Sequence, residues 1–222
     1  MTARPVAGSL FPDIQPDRPT GPVPLSVQYG TNADLIATIA PMYLTGSVLD
    51  VTYGNGDTAG GWWRRFTPDP LTFHDLAIDG VDFRDLPHGD DSFDAVCFDP
   101  PYVPQGGMSS NRVGEQDFRR RFGLMRESTP VADTFELMDA GLVECARVTR
   151  QWVLCKCADF VSSGKFHLGS LRMMDTARQL GLGIHDVIIH ASGSGPGGHN
   201  IFTPIRCRRA HSYLLVLSKG AS

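Results

Sequence analysis

The sequence predicts an α/β fold in which a mostly parallel sheet carries helices on both faces. Short apolar runs typical of buried strands alternate with longer segments of helical spacing, and one last strand follows a loop. The strand pattern at residues 47–50 also ends in an acid and a glycine turn, as parallel α/β sheets often do where they bind ligands. This alternation is typical of a layered α/β domain.

The length and the charge of the chain limit the classes of protein to which it can belong. The chain has 222 residues, a length that is ample for one domain with a buried core. Its net charge is −4 and its pI is near 5.9. Because nucleic-acid binders are often basic overall, phosphate contacts would have to come from local patches. Residues 1–24 are rich in proline and are expected to form an extended arm. Residues 25–222 form the single predicted domain, with loop insertions at about 103–128 and 191–209.

The cysteine pattern favours a reducing compartment. The five cysteines are unevenly scattered and lie mostly inside apolar runs, which does not suit a disulfide framework. Cys155 and Cys157 lack the spacing of a metal site and are interpreted as strand packing, so no metal is predicted. No apolar stretch reaches the length of a membrane span, and the N-terminus has no signal pattern. We therefore expect a cytoplasmic protein.

The first helix is predicted at residues 33–40, where Leu35, Ile36 and Ile39 have helical spacing. Thr31 or Asn32 would cap its N-terminus. The first strand then covers residues 48–50, and the glycine turn at residues 54–56 lets the backbone approach a ligand closely. The N-terminus of a helix after this turn, capped by Asp57 or Thr58, would favour negative charge such as a carboxylate.

That second helix would hold Trp62, Trp63 and Phe66, and the adjacent tryptophans are interpreted as packing residues rather than base contacts. The second strand is predicted at residues 71–75. Asp75 at its end, about twenty residues beyond the glycine turn, could accept hydrogen bonds from ribose hydroxyls, with Asp79 as the alternate. A surface-loop acid is the competing interpretation for both positions.

The most informative stretch follows the strand predicted at residues 93–98 and reads Asp99-Pro100-Pro101-Tyr102. An exocyclic amine is a poor nucleophile because its lone pair is delocalised into the base. The carboxylate of Asp99 and the carbonyl of Pro100 could each accept one of its N–H bonds and free that lone pair. The prolines stiffen the turn and bring no N–H of their own, and Tyr102 offers a face on which a base could stack. A simple turn after a strand is the alternative.

Two basic segments are candidates for contacts with phosphate or bases. Arginines interleaved with aromatics follow the turn, and a second cluster precedes the last strand. A solvated charge run is the alternative in both places. The candidate nucleic-acid-binding residues are Arg112, Arg119, Arg120, Arg121, Arg208 and Arg209.

The remaining elements alternate as the fold requires. Helices are predicted at residues 130–147 and 168–182, and strands at 151–157, 184–190 and 212–217. Lys156 lies inside the first of these strands, and Asp159 and Phe160 lie just beyond it. For all three, the sequence leaves open whether the side chain points into a site at the strand ends or only completes the sheet edge.

These motifs resemble those of S-adenosylmethionine-dependent DNA amino-methyltransferases of the N6-adenine/N4-cytosine family. The resemblance covers residues 29–219 and rests on the acid and glycine turn at Asp50–Gly56 followed by the Asp-Pro-Pro-Tyr turn. It implies a Rossmann-like class I methyltransferase fold with an antiparallel last strand, and S-adenosylmethionine as cofactor. The catalytic residues implied are Asp99, Pro100, Pro101 and Tyr102. The cofactor residues are Asp50, Tyr53, Gly54, Gly56, Asp75, Asp82, Phe83, Thr31 and Asn32.

One departure from the family pattern concerns the ribose and adenine segments. Asp82 is the residue expected to take the cofactor's amino group, and the backbone of Phe83 is expected to meet its ring. Only six residues separate Asp75 from Asp82, which leaves no room for the usual helix between those strands.

The predicted function is methylation of an exocyclic amine in double-stranded DNA. Adenine N6 is favoured over cytosine N4 because Asp rather than Ser at position 99 resembles the adenine branch of the family more than the cytosine branch. An RNA base is the first alternative substrate. A module that binds cofactor or nucleic acid without catalysis is the alternative of another class. Little of the chain is left for reading a long site, so a short site, a partner subunit or a homodimer would follow.

Overall fold

The computed structural model describes residues 23–54, 61–102, 130–191, 207 and 209–220, to which all structural statements refer. Its helices are α1 (Asn32–Tyr43), α2 (Val131–Val148) and α3 (Gly169–Gln179). The strands of the main sheet are β1 (Val27–Tyr29), β2 (Val48–Asp50), β3 (Leu71–Phe73), β4 (Phe93–Phe98), β5 (Thr149–Cys157), β8 (Leu182–Ala191) and β9 (Ser212–Lys219). A small hairpin consists of β6 (Phe160–Ser162) and β7 (Lys165–His167).

The main sheet has seven strands in the order β1-β8-β9-β5-β4-β2-β3. β1 pairs with β8, and β3, β2, β4 and β5 pair in series, all in parallel. β9 lies between β5 and β8 and is antiparallel to both. The predicted mostly parallel sheet with an antiparallel last strand is therefore confirmed, and the fold is Rossmann-like.

The two faces of the sheet are covered by different helices. Along β5, Trp152 and Leu154 point to one face, whereas Val153 and Cys155 point to the other. The first face packs against α1 through buried Leu35, Ile36 and Ile39. The second face packs against α2 and α3, whose buried residues include Leu142 and Met173. Helices on both faces are thus confirmed.

A polar network at the amino end of β4 fixes the register of the central strands. The carboxylate of Asp94 accepts hydrogen bonds from the backbone N–H of Ser47 over 2.8 Å and from Nε of Arg150 over 2.9 Å. The hydrogen bond from Arg150 is the main reason why the pKa of Asp94 is lowered to about 2. Because this network links β2, β4 and β5 at one end, it also aligns their opposite, carboxyl ends.

One local prediction was wrong, and one departure from the family pattern is observed as expected. The helix expected around Trp62 and Trp63 is a single 3-10 turn at Trp62–Arg64, and its proposed caps Asp57 and Thr58 lie outside the described residues. No strand lies between β3 and β4 within the described residues; Val81–Leu86 forms turns instead. The short spacing before Asp82 explains this, since it allows no crossover helix.

Several predicted elements match the structure within a few residues, namely α1, α2, α3, β5, β8 and β9. All five cysteines are free, and four of them are buried in the core, as the packing interpretation of Cys155 and Cys157 requires. Across the described part of the chain, no helix has the length and apolar character that crossing a membrane requires.

Candidate active site

The candidate site lies at the carboxyl ends of β2 and β4, which are adjacent parallel strands. Asp50, the last residue of β2, is in register with Cys97 of β4. Just beyond, the N–H of Val51 donates to the carbonyl of Cys97 over 3.2 Å. The chain leaves both strands at the same level, so the Asp50 carboxylate and the turn at Asp99 are brought side by side.

Asp50 is a buried acid whose oxygens are both hydrogen-bonded. Oδ1 accepts from the backbone N–H of Thr52 over 2.8 Å, and Oδ2 accepts from Nε1 of Trp63 over 2.7 Å. The residue is 4% exposed. Burial raises the pKa of Asp50 to about 7 in spite of these two donors, and the nearby charge of Asp99 adds to the rise. A carboxyl group that titrates near neutrality therefore lies at the strand end.

Asp99 is fixed from two sides. Its backbone N–H donates to Oγ1 of Thr52 over 2.8 Å, and its carboxylate oxygen Oδ2 accepts from Nε1 of Trp62 over 3.0 Å. Asp99 itself is half-buried, and Pro100 and Pro101 behind it are buried. The carboxylate is thus held in one orientation while its residue keeps partial access to solvent.

Tyr102 ends the turn and is partly buried against the core on the α2 face. Burial raises the pKa of its phenol well above the usual range, with a further contribution from the charge of Asp99. The phenol therefore stays protonated, and its ring lies beside the turn.

The tryptophan pair does more than the sequence indicated. Trp62 and Trp63 are buried, as the packing interpretation expects, but each indole N–H also donates to one of the two site carboxylates. A buried indole N–H generally needs an acceptor. Two consecutive tryptophans in a chain with acids at two strand ends are the signal that could have indicated this role.

The segment after β2 is held against β3. Gly54 has a φ of +54° and its N–H donates to Oδ2 of Asp75 over 3.0 Å. The ring of Tyr53 stacks on that of Phe73 with 4.1 Å between centroids. Gly56 lies outside the described residues. The structure therefore brings Tyr53 and Gly54 of the predicted cofactor set next to Asp75.

Asp75 and Asp79 have different surroundings. Asp75 is buried, and its Oδ1 accepts from the N–H of Ala77 over 2.9 Å in addition to the Gly54 contact. Asp79 is exposed and its carboxylate meets Nδ1 of His74 at 2.6 Å. Of the two candidates for the ribose contact, Asp75 is the one that contacts the glycine turn.

Asp82 and Phe83 lie in the turns between β3 and β4. The carboxylate of Asp82 forms an ion pair with Arg84, whose hydrogen bonds lower the pKa of Asp82. Phe83 is buried, and its ring lies 5.4 Å from that of Phe98, centroid to centroid. Because Phe98 directly precedes Asp99, this loop contacts the strand end that carries the turn.

The start of α1 contributes a polar group to the same region. Thr31 is the N-cap, and its side chain forms a capping box with Asp34. Asn32 begins the helix, and its Oδ1 accepts a hydrogen bond from Nζ of Lys156. The side chain of Thr31 is thus occupied in capping, whereas Asn32 links α1 to β5.

The sequence left open whether Lys156, Asp159 and Phe160, at the end of β5, point into a site, and the structure places the three differently. Lys156 is buried on the α1 face of the sheet. Asp159 instead accepts hydrogen bonds from the backbone N–H and the hydroxyl of Ser170 in α3, over 3.0 and 2.8 Å. Phe160 stacks on His167 of the hairpin. Of these three residues, Lys156 is the one whose hydrogen bond reaches a residue of the predicted cofactor set.

Most of the predicted nucleic-acid contacts, Arg112, Arg119, Arg120, Arg121 and Arg208, lie outside the described residues. Arg209 is described, and its guanidinium lies 5.2 Å from the ring centroid of Phe166 in the hairpin. Among the described residues, no group of three or more His, Cys, Asp or Glu side chains is arranged to hold a metal ion.

The known proteins to which this chain is similar are solved structures of low sequence identity. No protein-family model and no curated protein matches the chain. A candidate DNA modification methylase of Thermus thermophilus, solved with S-adenosyl-L-methionine, is similar with a TM-score of 0.40 at 16% identity over 64% of this chain. The chain covers 52% of that protein, about half its length.

Two further solved structures are similar over more of the chain. A SAM-dependent methyltransferase of Methanosarcina mazei has a TM-score of 0.44 at 10% identity, covering 83% of this chain and 98% of that one. A chain in the complex between the Haloferax volcanii Trm112 methyltransferase activator and a candidate methyltransferase has a TM-score of 0.38 at 15% identity. This similarity covers 80% of the present chain and 82% of the Haloferax volcanii chain.

Proposed function

We propose that this chain transfers a methyl group from S-adenosylmethionine to the exocyclic amine of a nucleobase, with adenine N6 in DNA as the preferred target. The observation that carries the proposal is the fixed turn at Asp99 and Pro100, directly beside the buried carboxyl of Asp50. A turn that only ended a strand would not need its carboxylate held by a buried indole N–H.

The residues beside the turn fit the cofactor. Gly54, with no Cβ and a φ of +54°, allows close approach to the backbone, and the acids Asp50 and Asp75 lie on either side of that turn as acceptors. The N-terminus of α1 would favour a carboxylate. When bound, S-adenosylmethionine supplies an electrophilic methyl group. The proposed cofactor residues are Asp50, Tyr53, Gly54, Gly56, Asp75, Asp82, Phe83, Thr31 and Asn32.

Asp99 and Pro100 would activate the target amine by accepting its two N–H bonds. These hydrogen bonds draw the amine lone pair out of conjugation and orient it for in-line attack. Thr52 and Trp62 reduce the reorganisation that this step requires, because they already fix the backbone and the carboxylate of Asp99. The carbonyl of Pro100 is the second acceptor in this proposal, and the fixed φ of the two prolines stiffens the turn that carries it.

The preference for DNA adenine rests on the Asp-Pro-Pro-Tyr sequence. A base in a duplex would have to leave the stack to reach this turn, which costs a few kcal/mol and is offset by stacking on an aromatic such as Tyr102. Phosphate contacts are assigned to Arg209 and to Arg112, Arg119, Arg120, Arg121 and Arg208. These contacts would make binding strongly dependent on salt.

The test is transfer of labelled methyl from S-adenosylmethionine to unmodified duplex DNA of high sequence complexity, with RNA in parallel, followed by nucleoside analysis. N6-methyladenine in DNA is the expected product. N4-methylcytosine, or label in RNA alone, would keep the chemistry and overturn the preferred substrate. Absence of label from both, with cofactor binding shown by calorimetry, would overturn the proposed activity and favour a regulatory module.

Asp99→Ala separates catalysis from binding. We expect the rate of methyl transfer to fall by at least about 100-fold while the cofactor still binds. The reason is that the variant removes a hydrogen-bond acceptor that stabilises the transition state. Asp175→Ala is the matched control, since Asp175 is an exposed acid in a surface pair with Arg178. Equal activity of the two variants would contradict the role of Asp99.

A further inference from the structure

Lys156 is a buried lysine at the same level of the sheet as Asp99. Phe98 of β4 is in register with Cys155 of β5, so the next residues along the two parallel strands, Asp99 and Lys156, are neighbours. Lys156 follows a residue that points to the α2 face and therefore points to the α1 face. The carboxylate of Asp99 is bound by Trp62, which belongs to the cluster on that same face. The side chain of Lys156 lies on the site side of the sheet.

The surroundings of Lys156 combine one polar anchor with two titratable groups. The residue is 3% exposed, and its Nζ donates to Oδ1 of Asn32 in the first turn of α1. The neighbouring strand β9 places the apolar Leu214 at this level. Within the described part of the chain, the titratable groups that act on Lys156 are Asp99 beyond β4 and His190 on β8. Of these two, Asp99 is the acid.

Stability does not account for this lysine. Burying an ammonium is costly, and an apolar side chain of the same length would fill the space between α1 and β5 without that cost. Burial accordingly lowers the pKa of Lys156, whereas the charge of Asp99 acts in the opposite direction. The same ammonium contributes to the lowered pKa of His190, after burial. A buried cation beside a candidate catalytic acid points to function.

We propose that Lys156 is a positioning residue for the methyl transfer: its ammonium, anchored by Asn32, holds the carboxylate of Asp99 in the orientation that accepts the substrate amine. The inference rests on the proposed function, because it assigns a partner to the catalytic acid of that reaction. The charge of Lys156 interacts with the carboxylate of Asp99, and this attraction favours one orientation of that carboxylate. Through Asn32, Lys156 also connects α1 to β5, the strand next to the one that carries the turn.

The experiment compares wild type, Lys156→Met and Lys156→Arg in the methyl-transfer assay across pH, with kcat and the KM of each substrate measured separately. Lys156→Met keeps the length of the side chain and removes the charge, and we expect kcat to fall by about 10-fold or more at neutral pH. Lys165→Met, the same change at an exposed position of β7, is the control and should leave kcat unchanged.

The pH dependence distinguishes an electrostatic role from a packing role. Since the pKa of Lys156 is lowered, the wild-type ammonium loses its proton at a lower pH than an ordinary lysine, and kcat should fall on that alkaline side. Lys156→Arg retains its charge at that pH, so the decline of kcat on the alkaline side should be absent from this variant. This holds even if the different shape of the arginine side chain lowers its kcat. Lys156→Met should also show no such decline.

The outcomes are separable from those of the proposed function. Wild-type protein without methyl transfer would overturn the proposed function itself. Active wild-type protein together with an unchanged kcat for Lys156→Met would overturn the role of Lys156 alone. So would an alkaline decline that is identical in wild type and Lys156→Arg, because the titrating group would then be another one. Folding of each variant is checked by its melting temperature and by cofactor binding.

Discussion

Nε1 of Trp62 donates a hydrogen bond to Oδ2 of Asp99 over 3.0 Å, although the two residues are 37 positions apart in the chain. The neighbouring Trp63 does the same for Asp50 over 2.7 Å. One short 3-10 turn therefore fixes both acids at the ends of adjacent strands. An ion pair between Arg65 and Asp34 links that turn to α1, so the acids are positioned by the same helix that Lys156 contacts.

The first prediction concerns Trp62→Phe. The variant keeps most of the buried ring and removes the N–H that orients Asp99. Because a hydrogen bond to a charged acceptor contributes about 1.5–3 kcal/mol, we expect kcat for methyl transfer to fall by about 10- to 100-fold. Steady-state kinetics with the substrate identified by nucleoside analysis would measure this change.

Trp152→Phe is the matched control for that variant. Trp152 is a buried tryptophan of β5 that packs edge-on against Tyr43 and His185, away from both acids. It should lose a similar amount of stability and retain its kcat. If both variants retain the wild-type kcat, the indole of Trp62 has only a packing role.

The second prediction is a pH dependence of stability that arises from Asp50. The pKa of Asp50 is about 7 in the folded protein and 3.8 in the reference state, so the folded state binds more protons between these values. The free energy of unfolding contributed by this group is therefore fully present below about pH 4 and is lost as pH rises to about 7. The slope reaches about 1.4 kcal/mol per pH unit at most.

Asp50→Asn isolates this contribution. Urea unfolding of cofactor-free wild type and variant at a series of pH values from about 4 to 8 gives two curves, and their difference should decline through this window and be flat above it. The contribution of Asp94 lies lower, since its pKa is lowered to about 2, and that group loses its stabilisation only as pH falls below about 4. A flat difference curve would show that Asp50 titrates normally.

The third prediction uses Trp63→Phe to move the same titration. The indole N–H of Trp63 stabilises the charged form of Asp50, so its removal raises the pKa of that carboxyl further. The pH at which the Asp50 contribution is fully lost should therefore move upward, as measured by the same unfolding series. Trp152→Phe should lower stability by a comparable amount without moving this pH.

The sequence was sufficient to place the residues that end or directly follow a buried strand. Asp50 and Asp99 each follow an apolar run and precede a turn, and such positions determine which edge of a parallel sheet they reach. The alternation of strands and helices predicted the mostly parallel sheet, whereas the antiparallel last strand was expected from the family resemblance. Alternation is a local feature, so periodicity and turn residues suffice to predict it.

The tryptophans and Lys156 could not be assigned in the same way, because their partners are distant in sequence. The hydrogen bond between Lys156 and Asn32 spans 124 positions, and nothing near Lys156 in the sequence indicates which face of β5 it occupies. The helix expected at Trp62 was wrong for a related reason. Contacts with α1 and two buried acceptors determine the conformation there, whereas apolar residues alone suggested helix.

The last prediction concerns the packing that supports the turn from behind. Gly141 lies inside α2, and a Cβ added there would come within 2.4 Å of Cζ of Phe98 and 2.7 Å of Cδ2 of Phe83. At a helix position with free space around it, Gly→Ala raises the free energy of unfolding by about 0.5–1 kcal/mol. Here the two buried rings oppose the change, and overpacking of this kind costs about 1–3 kcal/mol.

We therefore expect Gly141→Ala to lower the free energy of unfolding by about 1–2 kcal/mol net, since the steric cost exceeds the helix preference. Phe83→Leu in the same background should recover part of this loss, because it vacates the space that the new methyl group needs. Ala140→Gly, one position earlier in α2, should cost only about 1 kcal/mol. Because Phe98 directly precedes Asp99, Gly141→Ala should also lower kcat. A variant more stable than wild type would show that the rings can move aside, in which case the turn is not supported through Phe98.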